Sequence, residues 1–268
     1  MTIERLTKAD LLTINDLRPN DWNDLVEIHR FYLCNSFCYP MKIVIDSRIV
    51  GIGTAICHGE TAWLAHCIIS ETHRSKGIGS FLVSSLISLL KKQLSCKTIS
   101  LIASDFGYPL YKKYGFKTQA EYVTLSTEND TKSSITPSNS MSNLSSEHIS
   151  QVLQLDKRIS GEDRNQTLRQ FFHTAYVYII DNIVVGAYFI NLGEGLIISE
   201  DETSGIEFLK MCIQNKNRIT LPYDNVVARS FLEGNGFNEL NRIRRMVLGN
   251  PFEWNPKGIY NRIGGYLG

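Results

Sequence analysis

Two stretches of this chain repeat each other at a constant spacing, and that repeat constrains the fold more than any other feature. Residues 104–116 and 225–237 each have the pattern of a short helix that ends in a Gly-Phe pair. The same offset of 121 residues separates Ser104 from Asn225 and Gly115 from Gly236. Internal similarity on this scale, in a chain of 268 residues, indicates two copies of one whole domain.

Each half also carries the pattern of a β-hairpin. Apolar, β-branched residues over 42–56 are split by the polar turn Asp46-Ser47-Arg48, and those over 175–190 are split by Asp181-Asn182. Pro40 is expected to end whatever element precedes the first hairpin. The remaining patterns predict strands at residues 3–6, 61–70, 97–103 and 218–221 and helices at residues 15–31, 81–94 and 203–215. Together they predict an α+β fold (mixed α/β), with a mixed, mostly antiparallel sheet flanked by helices in each half.

The segment between the halves is polar. Residues 126–146 hold eight serines, three threonines and three asparagines, a composition that buries little surface. We therefore expect a first domain at residues 1–128 and a second at residues 129–268. Ser134-Ile135-Thr136 could still form an edge strand of the second domain.

Composition narrows the class of protein. A formal charge of +1 gives no general attraction to nucleic acid or to a membrane, and no apolar run reaches the roughly 20 residues of a membrane span. The chain starts with the polar, acidic stretch 1–5 where a signal peptide would be basic and then apolar, so a cytoplasmic protein is expected. The cysteines lack the spacing of a zinc site, so no metal is expected and buried free thiols are predicted. They are Cys34, Cys38, Cys57, Cys67, Cys96 and Cys212.

A glycine-rich junction links a strand pattern to a helix pattern at residues 73–80. The first turn of a helix has N–H groups without intrahelical partners and partial positive charge from the helix dipole, so anions bind there. Gly77 and Gly79 let the backbone approach a ligand closely, while Arg74 and Lys76 add positive charge. The stretch therefore predicts a pyrophosphate site, although glycines that merely shape a tight turn would give the same pattern.

The spacing Arg-x-x-Gly-x-Gly at residues 74–79 resembles the coenzyme A pyrophosphate loop of the GNAT superfamily of N-acetyltransferases. About 30 residues later, Leu-Tyr-x-x-x-Gly-Phe at residues 110–116 resembles the last conserved segment of that superfamily. The likeness covers roughly residues 1–125. The C-terminal stretch from Arg242 to Gly268 resembles the acetyltransferase-like second domain of a group of two-domain bacterial proteins.

The resemblance implies acetyl transfer from acetyl-coenzyme A (acetyl-CoA) to an amine by direct attack. Tyr111 stands where the superfamily has its general acid, and a phenol stays protonated at neutral pH and can donate to the leaving thiolate. Ser104 stands where a residue, often asparagine, contacts pantetheine. The cofactor-binding residues implied are Cys67, Ile68, Ile69, Arg74, Ser75, Lys76, Gly77, Ile78, Gly79, Ser80, Ser104 and Tyr111.

The general base and the acceptor stay open. Trp63 stands where many members have a carboxylate or histidine, and strict alternation along the strand turns His66 to the face opposite Trp63, Ala65 and Cys67. A bulge could reverse His66; Glu27, His29 or a chain of waters are alternatives. The acceptor-side residues predicted are Glu27, His29, Phe31 and Trp63. A small-molecule amine is favoured over a peptide, with no nucleic acid or membrane partner, and the protein is expected to be a monomer or homodimer.

The second half lacks the features that indicate coenzyme binding and catalysis in the first half. Glu200, Asp201 and Glu202 stand where the first half has its cationic loop, and like charges disfavour a diphosphate. Leu232 replaces Tyr111. We therefore predict an enzyme with one working acetyltransferase domain and one degenerate domain. A non-catalytic module that binds or senses acyl-CoA is the alternative, and a purely structural pair of repeats is disfavoured by the intact glycine loop.

Overall fold

A computed structural model describes residues 1–19, 24–128, 141–250 and 252–267. The chain forms two compact units, and each is assembled from more than one segment of the sequence. Unit 1 comprises residues 1–117 together with 246–250 and 265–267, and unit 2 comprises the described parts of residues 118–245 and 251–264. The predicted boundary after residue 128 and the possible strand at Ser134–Thr136 fall at or among residues 129–140, which lie outside the described residues.

The helices and strands of the first half of the chain alternate as the sequence predicts. They are β1 (Thr2–Arg5), α1 (Leu11–Ile14), α2 (Leu25–Cys34), β2 (Cys38–Ile45), β3 (Arg48–His58), β4 (Thr61–Ile69), α3 (Ile78–Ser88), β5 (Thr98–Ala103) and α4 (Tyr108–Lys113). A π-helical turn, Leu89–Gln93, continues α3.

The sheet of unit 1 confirms the mixed, mostly antiparallel arrangement. β1, β2, β3 and β4 pair in that order and are antiparallel, with the predicted turn at Asp46-Ser47 between β2 and β3. β5 then pairs with β4 in parallel. Parallel strands require a crossover, which α3 supplies.

Helices cover both faces of this sheet. Leu82 and Leu86 of α3 pack with Ala55 and Leu64 in the larger core cluster, which defines the α3 face. On the other side, Leu25 of α2 belongs to a cluster that includes side chains of β3 and β4, and this is the α2 face. Each of these leucines is at most 3% exposed, and complete burial of such a side chain contributes about 1.5–3 kcal/mol.

Two predictions near the N-terminus are wrong. The helix predicted over residues 15–31 begins only at Leu25, where the Asp24 carboxylate accepts a 2.6 Å hydrogen bond from the Val26 N–H. Pro19 explains the break, because a residue before proline avoids the helical region, and Arg18 has an extended ψ of 128°. Pro40 does not end an element but lies inside β2, opposite Thr54 of β3.

From residue 117 onward the chain adds one more strand and then repeats the pattern of the first half with additional elements. They are β6 (Lys117–Ser126), β7 (Met141–Asn143), α5 (Ile149–Ser160), α6 (Asn165–Leu168), β8 (Ala175–Ile180), β9 (Ile183–Phe189), β10 (Leu196–Ser199), α7 (Glu202–Ile213), β11 (Arg218–Pro222), α8 (Val226–Gly234), β12 (Asn238–Gly249) and β13 (Ile259–Asn261).

Unit 2 contains a sheet in the order β13-β10-β9-β8-β7 and the antiparallel pair β6–β11. By position in the repeat, β10, α7, β11 and α8 correspond to β4, α3, β5 and α4. This correspondence allows the same site to be compared in the two units.

Candidate active site

The two central strands of unit 1 pair over only part of their length. Thr61–Trp63 of β4 lies opposite Thr98–Ser100 of β5, and within residues 24–128 the parallel pairing ends there. β4 nevertheless continues to Ile69 and β5 to Ala103. The backbone of β4 beyond Trp63 therefore borders a cleft on its β5 side. Cys67, Ile68 and Ile69, to which the family resemblance assigns contacts with the cofactor, lie on this part of β4.

A β-bulge interrupts β4 beside this cleft. Thr54 of β3 lies opposite Ala65, and Ile52 lies opposite Ile68, so β4 has one residue more than β3 between these pairs. His66 carries the strain, with a φ of 47°. An extra residue reverses the alternation of side chains beyond it.

The bulge corrects the predicted alternation of β4. Leu64 lies in the α3-face cluster, as do the partly buried side chains of Cys67 and Ile69, while Ile68 belongs to the α2-face cluster. Cys67 is therefore on the same face as Leu64, not opposite it. The bulge thus turns Cys67 toward α4.

Tyr111 of α4 meets that cysteine. Its side chain is 9% exposed, and its hydroxyl forms a hydrogen bond with the Cys67 thiol. Burial raises the pKa of Tyr111 well above its ordinary value, and burial also raises the pKa of Cys67 to about 12. Both groups are therefore protonated at neutral pH. Tyr111 is a neutral O–H donor at the wall of the cleft.

The glycine loop has the conformation expected of an anion site. Gly77 is the N-terminal cap of α3 and has a φ of 79°, which favours glycine, while Ser75 has a φ of 61°. The Phe81 N–H makes the first helical hydrogen bond, to the Gly77 carbonyl. The N–H groups of residues 78–80 belong to the turn that lacks intrahelical acceptors. This geometry suits a diphosphate.

Backbone carbonyls hold the two positively charged side chains of the loop in place. The Arg74 Nε donates to the Ile69 carbonyl at 3.2 Å, and its guanidinium also pairs with Glu71 at 3.3 Å. The Lys76 Nζ donates to the Thr72 carbonyl at 2.9 Å. Both charges are thereby kept next to the start of α3.

Tyr114 is a site residue that the motif comparison left out. Its hydroxyl donates to the Ser80 carbonyl at 2.8 Å and lies 2.6 Å from the Ser80 hydroxyl. Ser80 is in the first turn of α3, and Tyr114 directly follows α4. The bond therefore fixes the helix that carries Tyr111 against the anion site.

Ser104 lies at the other end of the cleft, immediately after β5. Its side-chain oxygen accepts a 3.2 Å hydrogen bond from the Gly107 N–H, and the residue is exposed. It shapes the turn that starts α4, and its hydroxyl proton is available to a ligand.

On the α2 face, His66 is part of an aromatic cluster. The Tyr32 hydroxyl lies 2.9 Å from His66 Nδ1, and the Tyr266 ring lies 5.4 Å from the His66 ring at an interplanar angle of 30°. His29 lies 5.4 Å from the same ring. Burial, and secondarily the neighbouring His29, lowers the pKa of His66 to about 3. Sequence spacing could not have found Tyr32 or Tyr266 as neighbours of His66.

The predicted acceptor-side residues occupy different environments. Trp63 is 0% exposed and His29 is 1% exposed, and the latter bonds to the Leu25 carbonyl through Nδ1 at 2.8 Å. The side chain of Glu27 is 79% exposed and lies 3.5 Å from Arg30. Phe31 packs edge to face on Tyr32 at 6.1 Å. Of the four, His29 joins the cluster around His66 and Phe31 borders it.

In unit 2 the position of the glycine loop is closed by protein. Asp201 caps α7, because its carboxylate accepts a 2.7 Å hydrogen bond from the Ser204 N–H. Gly205 lies directly under the Tyr260 ring, where a Cβ would stand 2.1 Å from a ring carbon. The start of α7 is thus capped by a carboxylate and covered by an aromatic ring.

The cleft between β10 and β11 in unit 2 is also filled. β13 pairs with β10, and its Asn261 side chain accepts a 3.1 Å bond from the Thr220 N–H of β11. Arg262 donates from its backbone N–H to the Thr220 carbonyl at 2.9 Å. Asn225, at the position of Ser104 in the repeat, donates to the carbonyls of Lys257 and Ile259 at 2.8 and 3.1 Å. The chain itself occupies the place that is open in unit 1.

Across residues 1–19, 24–128, 141–250 and 252–267, no group of three or more histidine, cysteine or acidic residues is arranged to hold a metal ion. Within the same residues, no helix combines the length and apolar character needed to span a membrane.

A model of the acetyltransferase (GNAT) domain family matches residues 38–118, which contain the bulged strand, the glycine loop and Tyr111. Residues 38–118 are therefore similar to a GNAT acetyltransferase domain, and the two sheets flanked by helices have the GNAT fold. No curated protein matches the sequence.

Solved structures with the same fold extend over both halves of the chain. A candidate acetyltransferase from Pyrococcus horikoshii is 19% identical over 100% of this chain and 95% of its own, with a TM-score of 0.83. A GCN5-related N-acetyltransferase from Sphaerobacter thermophilus is 12% identical over 94% and 97%, with a TM-score of 0.65. A tandem GNAT protein from the clavulanic acid biosynthesis pathway is 13% identical over 94% and 99%, with a TM-score of 0.59. At these identities the likeness establishes the fold.

Proposed function

We propose that the protein is an acetyl-CoA-dependent N-acetyltransferase in which unit 1 carries out the reaction and Tyr111 is the general acid. The observation that carries this proposal is the position of the Tyr111 hydroxyl on the Cys67 thiol, at the wall of the cleft between β4 and β5. Acetyl-CoA supplies the acetyl group as an activated thioester.

The residues of unit 1 fit each chemical requirement of binding. The start of α3 would hold the diphosphate through the N–H groups of residues 78–80, with the charges of Arg74 and Lys76 beside it. The backbone of Cys67, Ile68 and Ile69 would hold the pantetheine arm and polarise the thioester carbonyl. The positive φ at His66 supports this role, because strained backbone concentrates at functional sites.

Tyr111 would donate a proton to the departing thiolate. Its raised pKa keeps the phenol protonated at neutral pH, while the thiol of a leaving coenzyme has a pKa near 8.5. Burial makes Tyr111 a weaker acid than an exposed phenol, and the same dry site would raise the pKa of the departing thiol, so the acidity of the donor and the basicity of the acceptor shift in the same direction.

The acceptor would be a small-molecule amine that approaches from the α2 face. The partly buried rings of His66 and Tyr266 provide a flat, aromatic wall there, next to the strand that would hold the thioester, and the fully buried Tyr32 bonds to His66. Such a wall suits an amine with an apolar or planar body. The cluster carries no net charge, so it does not favour the binding of a highly basic peptide tail.

The experiment that tests this function is thiol release from acetyl-CoA with a panel of small amines. Tyr111→Phe is expected to lower kcat at least about 100-fold, the lower range for loss of a general acid, with the Kd for acetyl-CoA nearly unchanged. Tyr108→Phe is the matched control, because it removes a phenolic hydroxyl from the same helix. An equal loss in both variants would contradict the assignment of Tyr111.

One observation favours the non-catalytic alternative, a module that binds acyl-CoA without turnover. His66, the histidine beside the bulge, has its pKa lowered to about 3, which makes it a poor general base. Tight binding of acetyl-CoA without turnover on any amine, and without any effect of Tyr111→Phe, would support that alternative. Turnover on one amine would reject it.

Unit 2 would not bind a second coenzyme. Asp201 and Tyr260 close the start of α7, and β13 fills the space between β10 and β11. We propose that it is a degenerate GNAT-like domain with a structural role.

A further inference from the structure

Two cysteines of unit 1 that have no place in the proposed reaction lie in direct contact. The Sγ atoms of Cys57 and Cys96 are 3.4 Å apart, although the residues are 39 positions apart in the sequence. Each sulfur also lies 3.5 Å from the Gly59 carbonyl oxygen. Cys57 is the penultimate residue of β3, at the β3–β4 hairpin, and Cys96 lies two residues before the start of β5.

The surrounding backbone holds the two sulfurs in place. The N–H groups of Lys97 and Thr98 donate to the Glu60 carbonyl at 2.7 and 3.1 Å, which fastens the start of β5 to the hairpin turn. The Cys96 N–H donates to the Leu90 carbonyl at 2.9 Å. The pair therefore sits on fixed segments, and bonding would require the sulfurs to move from 3.4 Å to about 2.0 Å apart.

The two thiols differ in accessibility and in acidity. Cys57 is partly exposed, whereas Cys96 is 4% exposed. The hydrogen bond from Cys96 lowers the pKa of the Cys57 thiol to about 7 and raises the pKa of Cys96. A partly exposed thiol with thiolate character is the one that reacts first, and a buried neighbour in contact can then resolve the product.

We propose that Cys57 and Cys96 are an oxidation site of this protein, which low-molecular-weight disulfides convert to an intramolecular disulfide. The Cys57 thiolate attacks one sulfur of oxidised glutathione, forms a mixed disulfide and releases one glutathione thiolate. Cys96 then loses its proton to solvent and attacks the Cys57 sulfur, which forms the Cys57–Cys96 bond and releases the second glutathione. Two protein thiols are oxidised, and one glutathione disulfide is reduced to two thiols.

The bond would fasten the base of the proposed active-site cleft. It would join the β3–β4 turn to the start of β5, immediately before Thr61 and Thr98, where the parallel pairing of β4 and β5 begins. Because it closes a 39-residue span, the disulfide would restrict the unfolded chain and raise the Tm.

The test is intact-mass and peptide-mapping mass spectrometry of the full chain after incubation with oxidised glutathione. The exposed Cys34 is first replaced (Cys34→Ser) so that it does not form adducts of its own. We expect a product that has lost two hydrogens, with Cys57 joined to Cys96, a higher Tm than the reduced protein, and full reversal by dithiothreitol.

Single cysteine variants distinguish the thiol that reacts first, Cys57, from the thiol that resolves the mixed disulfide, Cys96. In the Cys34→Ser background, Cys96→Ser is expected to accumulate glutathione on Cys57, while Cys57→Ser is expected to react at neither position. A bond between any other pair of cysteines would overturn the proposal. So would a stable glutathione adduct on Cys57 when Cys96 is present, or no reaction of Cys57 in the folded protein.

Discussion

The Tyr114 hydroxyl donates a 2.8 Å hydrogen bond to the Ser80 carbonyl, and this bond joins the end of the Tyr111 helix to the first turn of α3. The helix that carries the proposed general acid and the helix start that would hold the diphosphate are thereby fixed relative to each other within unit 1. Small displacements at such positions carry large kinetic costs. We therefore expect changes that displace the Tyr111 helix to matter as much as changes to the groups that would contact the coenzyme.

Tyr114→Phe is expected to lower the free energy of unfolding by about 1 kcal/mol, the usual net value of one hydrogen bond. The ring remains, so the change removes only the bonds to Ser80. Chemical denaturation measures the effect, and the same variant should raise the Kd for coenzyme A. Unchanged stability and unchanged Kd together would show that this bond positions nothing.

Gly77→Ala and Gly79→Ala are expected to separate folding from binding. A Cβ at Gly77 would touch no atom, but its φ of 79° costs a non-glycine residue about 1 kcal/mol. A Cβ at Gly79 would make an ordinary 3.5 Å contact with Leu110, so the stability of that variant should be equal to or greater than that of the wild type.

Both glycine variants should nevertheless bind coenzyme A more weakly, since either Cβ lies at the backbone that the diphosphate would approach. Denaturation and calorimetry on the same preparations make the comparison. If Gly79→Ala binds coenzyme A as tightly as the wild type, close approach at Gly79 is not needed.

Gly205→Ala is expected to destabilise unit 2 by about 1–3 kcal/mol, the range for overpacking. The new Cβ would stand 2.1–2.4 Å from carbons of the Tyr260 ring, and a rigid aromatic ring cannot relieve this overlap by bending. The double variant Gly205→Ala with Tyr260→Ala should lose less stability than the sum of the single variants, because the alanine relieves the clash. Strict additivity would mean that the ring does not rest on Gly205.

His66 is expected to stay neutral in the folded protein between pH 6.5 and about 3, where an unperturbed histidine would be protonated. Because the unfolded chain takes up this proton and the folded chain does not, acidification through this window favours unfolding. NMR titration of the histidine rings measures the pKa, and His66→Gln should lose less stability on acidification than the wild type. A pKa near 6.5 for His66 would contradict the burial of this ring.

Much of the fold was predictable because it depends on local patterns. Hairpin turns, the strand–loop–helix junction at Gly77 and the repeat of Ser104 at Asn225 all have signals within a few residues of the element they specify. The helix predicted from Asn15 failed where Pro19 and Asp24 set a different start. Pro19 and Asp24 are visible in the sequence, but the helical spacing of the apolar residues gave the stronger prediction.

The parts that could not be predicted depend on pairing between distant segments. The bulge at His66 exists only in register with β3, so the alternation of β4 alone predicted the wrong side for Cys67. Tyr266 comes from the end of the chain and packs on Tyr32 and His66. β13 fills the unit 2 cleft by pairing with β10, and no local sequence motif indicates that pairing.

We propose that this chain has one working coenzyme site, formed by the glycine loop of unit 1, and a second position that the chain itself closes. Isothermal titration calorimetry of the wild-type protein with coenzyme A, with Gly77→Glu as the matched variant, tests it most directly. The structure predicts one coenzyme bound per chain, and none for Gly77→Glu. Two bound per chain, or equal binding by both proteins, would contradict the claim.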